Sequence, residues 1–233
     1  MSAPRIVVAA SPHERIAAVV CEYTIKKNCP EAEVTHTFDR EDRPTRGVWE
    51  EGGKDGTRFT WVRFWVPELM GYEGRAIYLD ADMILFSNIC ELYDMPMDGK
   101  SVLRTRDPSV LLIDCERCRW DVRALIEKAD AIGGSCWNMD ARYQVVQGDH
   151  VGTIPEHWNH RDVYDEGETK LLHFTNMSTQ PWPNHRHDTI PDHPLGDLWF
   201  QALAETVQSG LLSAEEIPEC LRERINAPAQ DSA

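Results

Sequence analysis

The chain reads as an α/β fold with a mixed, mostly parallel sheet flanked by helices, and three stretches carry that reading. Arg5-Ile-Val-Val-Ala-Ala10 and Ser109-Val-Leu-Leu-Ile113 are short apolar runs of the kind that lie buried in a sheet. Arg75-Ala-Ile-Tyr-Leu-Asp80-Ala-Asp82 is an apolar strand ending in two carboxylates, placed where a parallel sheet meets its ligand. From the start the order is strand, helix, strand, which favours right-handed crossovers.

The elements follow in order. After the first strand, Ser11-Pro12-His13-Glu14 opens a helix: Ser11 is the N-cap, Pro12 takes the first helical position and Glu14 closes a capping box. Ile16, Val19, Val20 and Tyr23 recur at helical spacing, so this helix is predicted to run to about residue 27. Residues 34–38 are a second strand, and residues 39–56 a charged, glycine-rich surface loop. Phe59, Val62, Val66 and Leu69 predict a helix ending around residues 67–71. Beyond the paired acids, residues 101–103 and 109–113 read as strands and residues 116–128 as a helix. Residues 151–154 and 170–174 are further strands, and residues 195–207 a helix.

The 233 residues suit one domain, expected over residues 1–226, with 227–233 a disordered tail. No apolar run is long enough to cross a membrane, and Met1-Ser-Ala-Pro-Arg5 is no hydrophobic signal, so a cytoplasmic location is expected. Seven scattered cysteines fit reduced, partly buried thiols better than a disulfide framework. Cys115-Glu-Arg-Cys118 has the spacing of half a zinc site, but no second pair follows. A net charge of −15 argues against a nucleic-acid surface. A small phosphorylated ligand would need a cation and a few local basic residues.

Side chains alternate along a strand, so Asp80 and Asp82 project the same way. Two anions that close repel unless a cation lies between them, and the simplest is a divalent metal bridging protein to phosphate. Lys170-Leu-Leu-His173 is a short strand whose histidine can reach the same sheet edge. Two carboxylates and an imidazole suit Mn²⁺, with Mg²⁺, which favours all-oxygen shells, as the alternative.

Taken together these residues resemble the glycogenin-like family 8 glycosyltransferases, particularly their short bacterial members, over residues 6–200. The resemblance rests on motifs in order: the strand and turn through residues 7–14, Thr57-Arg-Phe-Thr-Trp-Val-Arg63-Phe-Trp-Val-Pro67-Glu68-Leu69, Tyr78-Leu-Asp80-Ala-Asp82-Met, and Ser109-Val-Leu-Leu-Ile113. Ile154-Pro155-Glu-His-Trp158-Asn159 and His173-Phe-Thr followed by Pro181-Trp182 complete it. It implies a single GT-A domain and a metal-dependent, retaining transfer of a hexose from a nucleotide diphosphate sugar, a UDP-sugar, to an acceptor hydroxyl. It also implies that Asp80, Asp82 and His173 hold the metal and that Val8, Ala9 and Ser11 line the nucleotide. Arg63 would contact the donor, Asp107 the donor sugar and Ala81 the ribose, while Trp182 suits a sugar-stacking wall. Asp149, with Asp140 as runner-up, would be the acid near the reacting carbon.

One position departs from the pattern. Larger members carry a diphosphate-binding lysine just before Pro-Trp, where this chain has Gln180, and a neutral amide brings no charge to the departing phosphate. Arg186, His185 or His187 could supply it. Two other readings compete. A haloacid-dehalogenase-like phosphatase would use Asp80 as nucleophile, but its acid pair belongs on the first strand, and Ile84 stands where Thr or Val is usual. A non-catalytic nucleotide-sugar-binding protein would explain Gln180 but not the intact acids and histidine. The acceptor and oligomeric state are left open, and Trp49, Trp61, Trp65 and Trp199 fit either the core or a dimer face.

Overall fold

The computed structural model describes residues 3–44, 46, 57, 59–184 and 189–226. The expected charged loop, Trp49, the basic residues 185–187 and the tail from residue 227 lie wholly or mostly outside them. The strands are β1 (Arg5–Ala9), β2 (Glu33–His36), β3 (Arg75–Asp80), β4 (Met83–Leu85), β5 (Val102–Arg104), β6 (Val110–Asp114), β7 (Val151–Thr153), β8 (His160–Arg161) and β9 (Leu171–His173). Six of them form one sheet in the order β2-β1-β3-β6-β5-β7, and β4-β9-β8 form a small second sheet. In the large sheet β1 pairs with β2 and β3 in parallel, β5 pairs with β7 in parallel, and β6 runs antiparallel to both neighbours. The sheet is therefore mixed and mostly parallel, as the sequence predicts.

Period-two alternation splits the core into two layers. Ile6, Val8, Ile77, Leu79, Val110 and Leu112 face one side, where they pack with Ala18, Cys21 and Ile25 of α1 (Arg15–Asn28). Val7, Ala9, Ala76, Tyr78, Leu111 and Ile113 face the other, against α2 (Val62–Leu69). The short α3 (Cys90–Tyr93) joins the first layer, and α4 (Val122–Ile132) and α5 (Cys136–Tyr143) join the second. A third cluster lies between α1, the small sheet, α6 (Gly196–Gln208) and α7 (Glu219–Asn226).

The capping box read at Ser11 forms: the Ser11 backbone N–H and hydroxyl both donate to Glu14, and a single 3-10 turn (Pro12–Glu14) leads into α1. The helix expected from residue 116 starts later. Asp121 is the residue that caps it, accepting from Ala124 N at 2.9 Å, while residues 115–118 form a turn closed by Cys118 N on the Asp114 carbonyl. The helix α5 escaped the sequence reading, although Ser135 and Asn138 build a capping box at its start. Trp61, Trp65 and Trp199 are buried in the core. Among the described residues no helix is long and apolar enough to cross a membrane.

Candidate active site

The chemistry gathers where β3 hands the chain to the small sheet. β3 ends at Asp80, the backbone bends through Ala81 and Asp82, and Met83 opens β4 opposite His173 of β9. Phe174 N donates to the Asp82 carbonyl at 2.9 Å and closes the junction. One donor atom each from Asp80, Asp82 and His173 therefore lies within 4.8 Å of the other two.

His173 is buried, and its Nδ1 lies 2.8 Å from Asn159 Oδ1, while Asn159 Nδ2 donates to Thr105 Oγ1 at 3.1 Å. In the neutral ring this puts the proton on Nδ1 and turns the Nε2 lone pair to Asp82 Oδ1, 3.1 Å away. That oxygen is buried and has no hydrogen-bond partner among the described residues. Asp82 Oδ2 is held at 3.0 Å by Gln180 Nε2. A buried carboxylate oxygen aimed at an imidazole nitrogen without a directed hydrogen bond is costly unless a cation completes the set.

The electrostatics agree. Burial pulls the His173 imidazole down, but the carboxylates of Asp82, Asp80 and Asp107 outweigh it and lift the ring above its usual value. Burial lifts the Asp80 carboxyl; Arg63 opposes the shift and Asp82 adds to it. The two carboxylates and one imidazole fit a divalent ion of the Mn²⁺ kind. Asn159→Ala, which removes the group that orients His173, is expected to weaken Mn²⁺ binding by about 10–100-fold. Calorimetric Mn²⁺ titration reads this directly; unchanged affinity would remove Asn159 from the site.

Arg63 reaches the cluster from α2. Its Nε donates to the Thr60 carbonyl and its Nη1 to the Pro108 carbonyl, both at 3.1 Å, and its Nη2 lies 3.7 Å from Asp80 Oδ1. Tyr78, on the same face of β3, donates its hydroxyl to Asp80 Oδ1 at 2.5 Å. The guanidinium lies over the rings of Tyr78 and Trp137, at 5.3 and 4.8 Å from their centres. Asp107 sits on the same sheet edge, just before β6. Burial pushes its carboxyl up, but the Ser109 hydroxyl, His173, Arg63 and Arg161 together hold it below its usual value.

The remaining expected residues divide. Ala9 pairs with Asp80 in register, and Val8, Ala9 and Ala81 are buried beside it, so what they offer is backbone at the sheet edge. Ser11 is buried and joined to Glu14. Gln180 also sits by the cluster, but its Nε2 donates to Asp82 and the Phe174 carbonyl while its Oε1 accepts from Asn184 at 2.9 Å. Trp182 is a core residue instead of a sugar wall, 1 % exposed and packed on Phe174 and Trp199. Asp149 is at the wrong end of the sheet. It precedes Val151, which pairs with Val102, then Ile113, then Ala76, four residues from Asp80 along β3 and about 13 Å away. Asp140 is buried and accepts from Val146 N and Gln147 Nε2, tying down the turn after α5.

Two groups at this edge escaped the sequence reading. Arg43 donates to the carbonyls of Ala10 and Thr37, bringing a cation to the end of β1. Trp137, 39 % exposed on α5, covers Arg63. The capping box of α5 was the available signal for Trp137; Arg43 had none.

The fold and the site define a class: a GT-A glycosyltransferase. A model of the family described as glycosyl transferase family 8 matches residues 24–139, which include Arg63, Asp80, Asp82 and Asp107. Residues 24–139 match glycosyl transferase family 8, and glycosyl transfer is the class of activity this supports. The chain is 26 % identical over 229 residues to Protein CDI of Arabidopsis thaliana, with 86 % of each chain covered. Its fold is similar to that of the glycosyltransferase GlyE of Streptococcus pneumoniae, at 13 % identity and a TM-score of 0.61. That match covers 91 % of this chain, which spans 64 % of the GlyE chain. The galactosyltransferase LgtC, solved with donor and acceptor sugar analogs, matches with a TM-score of 0.57 at 15 % identity, over 94 % of this chain and 99 % of its own.

Proposed function

We propose that this chain is a metal-dependent, retaining transferase that moves a hexose from a UDP-sugar to an acceptor hydroxyl, with residues 1–226 as its catalytic domain. The observation that carries this is the convergence of Asp80, Asp82 and His173, with a buried Asp82 oxygen whose near neighbour is the His173 ring nitrogen at 3.1 Å. A Mn²⁺ ion held by those three residues would act as a Lewis acid toward the leaving diphosphate. The hexose assignment draws on the galactosyltransferase LgtC, and retention on the family resemblance.

The chain's own groups do the rest. Asn159 fixes the His173 ring, and Gln180 holds Asp82, so the amide that replaces the expected lysine serves the metal ligand instead of the phosphate. Arg63, fixed by two carbonyls, keeps positive charge beside Asp80. The backbone at the ends of β1 and β3 receives the nucleotide, and Asp107 faces the donor sugar.

Trp137 supplies the apolar ring face that Trp182 does not. Trp137→Ala is expected to raise the sugar-substrate KM about tenfold, the value of one aromatic contact, with UDP affinity unchanged and Trp137→Phe restoring most of the loss. Steady-state kinetics on the three proteins check it.

The reading as a whole is tested by calorimetric titration of UDP, with GDP as control, with and without Mn²⁺. Mn²⁺-dependent UDP binding that disappears in Asp80→Ala supports it. Failure of both nucleotides to bind sinks it.

A further inference from the structure

A second cluster of metal-ligating atoms lies away from the site just described. Cys29 caps the C-terminus of α1, its N–H donating to the Ile25 carbonyl at 2.8 Å. Cys90 is the first residue of α3, its N–H bound to Asn88 Oδ1 at 2.9 Å. Their sulfurs stand 3.2 Å apart, and Glu31 Oε1 is 3.9 Å from the Cys90 sulfur. All three donor atoms lie within 4.8 Å of one another. Cys29 is buried, Cys90 half-buried and Glu31 exposed, so the cluster opens to solvent on the carboxylate side.

Two chemistries suit a close thiol pair. A disulfide requires the sulfurs to close to about 2.05 Å, and its formation starts from a thiolate. From 3.2 Å that is a closure of about 1.15 Å, and it also consumes an oxidant. A tetrahedral ion with metal–sulfur bonds of about 2.3 Å holds two sulfurs about 3.8 Å apart, which is the smaller adjustment. Nearby anchors keep the two segments together, since Asn28 Nδ2 donates to the Thr24 carbonyl at 2.8 Å and to Leu85 of β4 at 3.4 Å.

We infer that Cys29, Cys90 and Glu31 form a binding site for a thiolate-preferring divalent cation of the zinc type, with a fourth position open to solvent. Binding releases the two thiol protons to water, and no oxidant or reductant takes part. The ion clips the end of α1 to the segment that follows the paired aspartates. Its sulfur-rich set also separates it from the oxygen and nitrogen ligands of Asp80, Asp82 and His173.

Cobalt(II) titration of the reduced chain tests this, because only thiolate coordination gives a near-ultraviolet sulfur-to-cobalt charge-transfer band. The expected result is a band saturating at one equivalent in the wild type and in Asp82→Ala. It should be lost in Cys90→Ser, retained in Cys115→Ser, and shifted to at least about tenfold weaker affinity in Glu31→Gln. Glu31 is exposed, so that variant folds whatever becomes of the thiol changes. A reduced wild type without the band, a band that survives in Cys90→Ser, or an affinity unmoved in Glu31→Gln would each overturn the site. So would isolation of a Cys29–Cys90 disulfide whose reduction restores no cobalt binding.

Discussion

Asp82→Asn is expected to remove Mn²⁺-dependent UDP binding and to lower kcat by on the order of 10³, the scale of losing one electrostatic element of a transition-state site. The substitution keeps the shape of the side chain. Asparagine can still accept from Gln180 Nε2, which now meets Asp82 Oδ2 at 3.0 Å, and its amide N–H₂ can donate to the His173 ring nitrogen. The fold is therefore expected to survive with little change in Tm while the negative charge and a metal ligand are lost. Asp80 makes a less clean test. Its carboxylate balances the buried Arg63, and neutralising it leaves that guanidinium without its counter-charge, at a cost of several kcal/mol in stability. Calorimetry and steady-state kinetics on Asp82→Asn, with thermal unfolding as control, separate ligand loss from unfolding. Retention of Mn²⁺-dependent UDP binding by this variant would remove Asp82 from the metal site.

What the sequence made legible was local. The apolar runs of β1, β3 and β6 and the capping box at Ser11 depend on residues next to one another, and they form as read. Asp80 and Asp82 lie two residues apart, and a hydrophobic strand carries His173, so their types and spacing could be weighed directly. Asp149 failed because its place depends on strand order. Only the parallel pairing of β7 with β5 shows that a residue before Val151 lies at the far edge from Asp80. Gln180 marked a lost charge in the sequence, but the carboxylate it holds lies 98 positions away. Trp182 was misplaced, and Trp137 passed over, for the same kind of reason. An indole looks the same in sequence whether a helix packs over it or leaves it at the mouth of a site.

Trp182 carries the largest expected effect on stability, with Trp182→Ala costing about 3–5 kcal/mol. Its ring sits edge-on to Phe174, with centres 5.7 Å apart, and tilts against Trp199 of α6 at 4.9 Å. Truncation therefore opens a cavity between the strand that ends at His173 and the helix that covers it. The indole Nε1 has no hydrogen-bond partner among the described residues, so Trp182→Phe gives up volume but no polar contact and is expected to cost less than about 2 kcal/mol. Denaturant titration of both variants measures these losses, and kinetics on the folded fraction supplies the discriminating readout. A buried packing residue lowers the unfolding midpoint and leaves the KM for the sugar donor alone. A stacking wall does the reverse: a tenfold rise in KM with an unmoved midpoint would return Trp182 to the substrate and displace Trp137 from the role assigned to it.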